Sequence, residues 1–118
     1  AKHSVHMYEC FVEMFTVLPL AFTINDKVFV THGGVPPPGT TLQDIQKADR
    51  RLEPGDSGIV CDMLWSDPQP ALGRAPSKRG TGFMFGPDVS HAWLDANGLQ
   101  LLVRSHEMKE EGYSVDHD

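Results

Sequence analysis

The chain has 118 residues, a hydrophobic fraction of 40%, a charged fraction of 22% and a formal net charge of −6. These values fit one compact domain and exclude a chain that is disordered throughout. The negative charge argues against general binding to nucleic acid or to a membrane surface, so we expect neither among its partners. The longest apolar stretch, at 17–24, contains Pro19 and is too short to span a bilayer.

The cysteines indicate the compartment. Cys10 and Cys61 lie far apart and show no CxxC spacing, which predicts buried, reduced thiols rather than a disulfide framework. No signal peptide is recognisable at the start of the sequence. We therefore expect a cytoplasmic protein, with the nucleus as the alternative.

The first half of the chain begins with a predicted helix and a hairpin. An amphipathic helix is predicted over 5–18, ended by Pro19. Its apolar stripe consists of Met7, Phe11, Met14, Phe15 and Leu18. Two apolar runs, 21–24 and 28–30, flank turn residues at 25–27 and predict a β-hairpin.

The middle of the chain predicts two short helices and a long loop. The helices are expected at 42–48, where Thr40 or Thr41 can cap the first turn, and at 59–64. Residues 66–82 are rich in Pro, Gly, Ser and basic residues, and this composition predicts a loop.

The last third contains the clearest helix, which opens at Pro87 and closes at Gly98. A buried strand is predicted at 99–103, and the alternating segment 113–115 predicts the start of another strand. A strand without a following partner is an unusual end for a domain, so we expect residues 1–118 to belong to a larger one. The mixed order of helices and strands predicts an α/β or α+β layered fold.

An apolar strand pattern ends in a histidine at two places. Residues 27–30 lead to His32, followed by Gly33 and Gly34, and residues 100–103 lead to His106. Ligands bind beyond the carboxyl ends of strands in layered α/β folds, so we expect the two imidazoles to converge on one metal. The glycines would turn the backbone sharply and leave space beside the His32 ring. Hydrogen-bonded structural histidines are the alternative, and two imidazoles are too few for a hydrolytic site.

Two charged residues and a tryptophan complete the candidates. Arg79 precedes Gly80 and can present its guanidinium to a phosphate; a solvated surface arginine is the alternative. Asp67 stands before Pro68 and fits a turn, or a carboxylate that orients a metal ligand or an arginine. Trp65 is predicted to lie in the core rather than to form a platform for substrate.

Several motifs occur together in the order found in the phosphoprotein phosphatase family. They are Leu18-Pro19-Leu20, His32-Gly33-Gly34, Leu64-Trp65-Ser66-Asp67-Pro68, Arg79-Gly80, Phe85-Gly86-Pro87-Asp88, Arg104-Ser105-His106-Glu107 and Glu111-Gly112-Tyr113. Over essentially its whole length the chain resembles the C-terminal half of the catalytic domain of a metal-dependent protein serine/threonine phosphatase. Segments 64–70, 77–80 and 85–89 make the type 5 subfamily the most similar.

The resemblance implies part of a calcineurin-like metallophosphoesterase β-sandwich flanked by helices, with residues 1–118 as the C-terminal portion of the catalytic domain. By position, His32 and His106 bind the same one of two divalent metals, which are Mn, Fe or Zn. Arg79 contacts the substrate phosphate, and Asp67 supports the site. The implied reaction is hydrolysis of phosphoserine and phosphothreonine in proteins by a water that the two metals activate.

The same resemblance predicts what this sequence leaves out. The family segments Gly-Asp-x-His-Gly, Gly-Asp-x-Val-Asp-Arg-Gly, Gly-Asn-His-Glu and Ser-Ala-Pro-Asn-Tyr-Cys are not found in it. In the family the first three segments supply the other metal ligands. We therefore expect residues 1–118 alone to be inactive. The implied partners are phosphoprotein substrates and, through other regions, a chaperone or a regulatory protein. Two alternatives remain open: a non-catalytic scaffold of the same fold, and a metallophosphoesterase acting on small phosphate esters.

Overall fold

The computed structural model describes residues 2–51 and 53–117. Its helices are α1 (Val5–Thr16), α2 (Leu42–Lys47), α3 (Ile59–Trp65) and α4 (Pro87–Ala96). Its strands are β1 (Ala21–Ile24), β2 (Val28–Thr31), β3 (Asp67–Pro68), β4 (Arg74–Pro76), β5 (Phe83–Phe85) and β6 (Leu101–Val103). This mixture of helices and small sheets confirms the predicted mixed α/β class.

The first sheet has the strand order β1-β2-β6. Strands β1 and β2 form the predicted antiparallel hairpin, and Asn25 and Asp26 turn the chain with φ angles of 52° each. Positive φ at both central residues suits a tight hairpin turn, and Asn and Asp tolerate it better than other non-glycine residues. Strand β6 runs parallel to β2, with Val30 opposite Val103. The carboxyl ends of β2 and β6 therefore lie side by side.

The second sheet has the order β3-β5-β4, with β3 parallel and β4 antiparallel to the central strand β5. Strands β3 and β4 fall inside residues 66–82, where the composition predicted a loop. That prediction was wrong because strands of two and three residues are too short for an alternating pattern to be read. The rest of the segment consists of turns and bends, as expected.

One hydrophobic core joins the two sheets to the helices. Its buried members are Phe29, Val35, Ile45, Met63, Phe85, Trp93 and Leu99. The rings of Phe29 in β2 and Trp93 in α4 pack edge to face with centroids 4.8 Å apart. The indole nitrogen of Trp93 donates to the carbonyl of Thr40 at 3.0 Å, so this large side chain is buried without an unsatisfied polar group. The core fixes both sheets in one rigid unit.

Helix α1 begins where Ser4 caps it, since the Ser4 hydroxyl accepts from the Met7 amide at 3.3 Å. It ends at Thr16, two residues before the predicted end. No residue of α1 is buried, and Phe11 and Phe15 are 50% and 58% exposed. The apolar stripe predicted from the sequence therefore lies mainly on a helix, but its members remain 43–58% exposed. None of the helices described is long and apolar enough to cross a membrane.

The two cysteines differ in burial. Cys61 is 1% exposed, and its sulfur lies 3.4 Å from the Thr81 hydroxyl. Cys10 is exposed, with its sulfur 3.8 Å from Nε2 of His6 one turn away on α1. Both are free thiols. The prediction that both are buried was wrong for Cys10, because the helix that carries it buries no face.

The strand predicted at 113–115 does not form. These residues are exposed and irregular, and they pair with none of the described strands. The segment instead folds back toward α4, where Nδ1 of His117 lies 2.7 Å from the Ser90 hydroxyl.

Candidate functional site

The two candidate histidines meet at the shared edge of the first sheet. Because β2 and β6 are parallel neighbours, the chain leaves both strands in the same direction, and the Ser105 amide donates to the His32 carbonyl at 3.0 Å just beyond them. The rings of His32 and His106 come to a centroid distance of 4.9 Å at an angle of 54°. The structure thus brings together the two imidazoles that the strand-end pattern singled out.

His106 is the more buried of the pair, with 10% of its side chain exposed and a φ of 71°. Its Nδ1 lies 3.0 Å from Oδ1 of Asp67. Burial lowers the pKa of His106 below its usual value, and the opposing charge of Asp67 does not reverse the shift. The ring is therefore neutral near pH 7, the state in which an imidazole binds a metal.

Asp67 connects the candidate residues. Its Oδ2 accepts from Nε of Arg79 at 2.7 Å, and its Oδ1 accepts from Nη2 of Arg104 at 2.6 Å. Burial raises the pKa of Asp67, but the hydrogen bonds from Arg79 and Arg104 outweigh it and hold the pKa below its usual value. Asp67 is thus an ionised, buried acceptor shared by two arginines and His106, beyond the turn role that Pro68 indicates.

Arg79 lies partly exposed beside His106. Its Nε is held by Asp67, its Nη2 lies 3.3 Å from the His106 carbonyl, and 37% of its side chain is exposed. The hydrogen bond to Asp67 raises the pKa of Arg79 above its usual value. Nη1 donates to no group in residues 2–51 or 53–117, so one side of the guanidinium is available to an anion.

Arg104 is a part of the site that the sequence interpretation missed. Its side chain is 12% exposed, and it donates to the Gly33 carbonyl and to Oε2 of Glu107, both at 2.5 Å, as well as to Asp67. It therefore ties the turn after His32 to the carboxylate that holds Arg79. The available signal was its own position directly after the apolar strand predicted at 99–103. The prediction that this strand is buried was wrong, because Leu101 and Val103 of β6 are 52% and 44% exposed.

Trp65 was predicted to lie in the core, and this was wrong. It is 40% exposed, and its ring meets that of His106 edge-on at 5.8 Å. Trp65 is the last residue of α3, so its side chain points past the helix end toward the histidines rather than into the core. It forms one wall of the site.

The two glycines after His32 lie where the loop closely approaches other parts of the chain. The Gly33 amide donates to the Met63 carbonyl at 2.8 Å, and a Cβ on Gly33 would lie 2.6 Å from the carbonyl carbon of Leu64. A Cβ on Gly34 would overlap the Phe85 ring. The glycines therefore allow the loop to pack tightly on the end of α3 and on Phe85. That they also leave space beside the His32 ring stays a prediction.

We predict that Gly33→Ala destabilises the chain by about 1–3 kcal/mol, because the added methyl group meets rigid backbone. Urea unfolding of the full chain measures this. Gly55→Ala is the matched control: only the Ser57 carbonyl lies near its Cβ, at 4.0 Å, and its effect should stay within about 0.5 kcal/mol. Equal effects of the two substitutions would show that the close approach at Gly33 is not a constraint.

The pKa of Asp67 gives a pH prediction. A carboxyl whose pKa is depressed by folding contributes stability above its unfolded pKa of about 3.9, and that stability is lost as the pH falls through the folded value. The free energy of unfolding of the full chain should therefore fall in acid, and less steeply in Asp67→Asn. Asp95→Asn, at an exposed position on α4, should keep the original slope. An Asp67→Asn profile parallel to that of the unaltered chain would contradict the prediction.

The residues present fit a metal only in part. The two imidazoles, whose ring centroids lie 4.9 Å apart, are suitable donors for a transition metal. However, no group of three or more His, Cys, Asp or Glu side chains in the described part of the chain is placed to hold an ion. A metal bound by His32 and His106 needs further ligands from outside these residues.

Comparisons with known proteins agree with the motifs. Residues 1–110 match the family described as calcineurin-like phosphoesterase. The human serine/threonine-protein phosphatase 5 is 54% identical over 118 residues, which cover 99% of this chain and 24% of the human protein. The serine/threonine-protein phosphatase T of Schizosaccharomyces pombe is 46% identical over 121 residues, or 26% of its length. The chain thus spans about a quarter of the length of these curated relatives.

A solved structure supports the fold. A protein serine/threonine phosphatase from Saccharomyces cerevisiae, described as similar to human phosphatase PP5, superposes with a TM-score of 0.86 at 41% identity. The match covers 92% of this chain and 34% of that one. The prediction of a metallophosphoesterase fold, and the resemblance to the type 5 subfamily, are confirmed.

Proposed function

Because this chain belongs to the calcineurin-like phosphoesterase family, we propose that it forms the C-terminal portion of the catalytic domain of a protein serine/threonine phosphatase. The observation that carries the proposal is the convergence of His106 and Arg79 on one buried carboxylate, Asp67, with the His32 ring beside that of His106. Relatives named serine/threonine-protein phosphatases share 54% and 46% of the matched residues, which supports protein substrates. The proposed location is the cytoplasm or the nucleus.

His32 and His106 are proposed to bind one divalent metal of a pair. When bound, such a pair supplies a water of lowered pKa and neutralises charge on the phosphoryl group. The two imidazoles suit Zn or Fe, and Mn becomes suitable where carboxylates complete the ligand set. Asp67 keeps the His106 ring in place from Nδ1, and Arg104 holds Asp67 and the turn after His32 together.

Arg79 is proposed to bind the substrate phosphate. Asp67 fixes its Nε, which orients the guanidinium plane and leaves Nη1 to donate to a phosphoryl oxygen. Positive charge held at that place stabilises the charge that spreads over the phosphoryl oxygens in the transition state. The structural role of Asp67 is then to position a cation and an imidazole on either side of the reacting group.

A chimera tests this proposal. Residues 1–118 replace the matched segment of human serine/threonine-protein phosphatase 5, and the turnover of a phosphoserine peptide is measured with and without Mn²⁺. We expect Mn²⁺-dependent turnover, whereas the 118-residue chain alone should be inactive. A folded chimera that binds metal without turnover would favour a scaffold. Turnover of small phosphate esters but not of the peptide would favour the other alternative.

A further inference from the structure

Ser105 makes three contacts with His32. Its backbone amide donates to the His32 carbonyl at 3.0 Å. Its hydroxyl oxygen lies 3.3 Å from the same carbonyl and 3.2 Å from Nδ1 of the His32 ring. Asp67, which contacts His106, does not contact His32. Ser105 is therefore the side chain that bonds to the His32 ring within residues 2–51 and 53–117.

These contacts together favour one position for the proton on the His32 ring. A carbonyl oxygen only accepts hydrogen bonds, so the contact at 3.3 Å is a hydrogen bond only if the Ser105 hydroxyl donates its one hydrogen there. The contact at 3.2 Å is then a hydrogen bond only if Nδ1 of His32 carries a proton and donates it to the Ser105 oxygen. In a neutral ring the lone pair is consequently on Nε2.

We propose that Ser105 is a positioning residue for His32: it holds the ring in the Nδ1–H tautomer, so that Nε2 is the nitrogen offered to a metal. The inference rests on the proposed function for the presence of that metal. Residues that bond to the second nitrogen of a metal-binding imidazole fix its tautomer and its orientation, and their loss typically lowers metal affinity 10- to 100-fold. Because both residues are exposed and water competes for the bond, we expect the lower end, about tenfold.

The first test reads the tautomer directly, without metal. The full chain is labelled with ¹⁵N at its histidines, and the His32 signals are assigned by their loss in His32→Ala. We expect the Nδ1–H form in the unaltered chain, a shift toward the Nε2–H form in Ser105→Ala, and retention of Nδ1–H in Ser105→Thr, which keeps the hydroxyl. Ser114→Ala is the control. The hydroxyl it removes bonds to Asp116, so the His32 tautomer should not change.

Far-UV circular dichroism of each variant shows whether it is folded, and Ser105→Thr provides a conservative comparison should Ser105→Ala fail to fold. The inference is overturned if the unaltered chain shows the Nε2–H form. It is also overturned if a folded Ser105→Ala keeps the original tautomer, or if Ser105→Thr loses it.

A Zn²⁺ titration followed on the same His32 signals separates this inference from the proposed function. We expect Zn²⁺ to bind at Nε2 of His32, about tenfold more weakly in Ser105→Ala and normally in Ser105→Thr. If the His32 tautomer changes in Ser105→Ala but His32 binds no Zn²⁺ in any variant, the positioning role is supported and the proposed metal site is contradicted. If His32 binds Zn²⁺ but neither the Zn²⁺ affinity nor the tautomer changes in Ser105→Ala, the proposed metal site is supported and the positioning role is contradicted.

Discussion

Replacement of His106 by alanine lowers kcat/KM of the chimera for a phosphoserine peptide about 10³-fold. The reason is the loss of a metal that supplies several kcal/mol of transition-state stabilisation, about 4 kcal/mol corresponding to three factors of ten. His32→Ala should lower it by a similar factor. Because both imidazoles are proposed to bind the same metal, the double variant should fall little further than either single variant. Steady-state kinetics at saturating Mn²⁺ measure all three.

His3→Ala is the control for this series, since His3 is exposed. It should change kcat/KM less than about twofold, as surface substitutions usually do. A chimera that keeps more than a tenth of its activity after His106→Ala would show that His106 is not a metal ligand. Losses that multiply in the double variant would show that the two histidines act separately.

Asp67→Asn destabilises the folded chain by about 3 kcal/mol, the lower end of the range for breaking a buried ion pair, because it removes the more buried of the two carboxylates that pair with Arg104 and leaves only the partly exposed Glu107. The side chains of Asp67 and Arg104 are 7% and 12% exposed, so water cannot replace the lost carboxylate. Arg79 adds less to this effect, since it is 37% exposed and its charge is screened. Urea unfolding of the full chain measures the change.

Glu107→Gln is the matched comparison, because Glu107 also accepts from Arg104 but is 31% exposed. Its loss should cost less than about 1 kcal/mol, as is usual for ion pairs that water reaches. The pair of variants separates burial from charge, since each removes one carboxylate from the same arginine. Equal destabilisation by the two amides would contradict the view that Asp67 is the centre of the cluster.

The convergence of the two histidines could be predicted from the sequence because each follows a short apolar strand, a pattern that is visible locally. His32 and His106 each end an apolar strand, and one topological fact, that β2 and β6 are parallel neighbours, brings them together. Arg104 could not be placed in the same way. Its partners Asp67 and Gly33 lie 37 and 71 residues away in sequence, and only the packing of the two sheets brings them within reach. The motif Arg104-Ser105-His106-Glu107 indicated that Arg104 matters, but it did not indicate which residues Arg104 contacts.

Other residues were missed because their contacts or surroundings in the fold cannot be inferred from residue type. Gly33 is required because the loop approaches the backbone of Leu64, a tertiary contact that a Gly-Gly pair does not reveal. Trp65 looked like a core residue by its type, but its place at the end of α3 directs it to the site. The stripe on α1 predicted the helix correctly, because helical periodicity is local, while the surface that would cover it is not readable from spacing.

The claim that His32 and His106 jointly hold one metal is tested most directly by counting metals. The chimera and its His32→Ala/His106→Ala double variant are equilibrated with excess Mn²⁺ and freed of unbound metal, and the bound metal per chain is determined by elemental mass spectrometry. We predict that the unaltered chimera binds two metals and the double variant one. Equal metal content in the two proteins would contradict the account, since the site would then not depend on the two histidines.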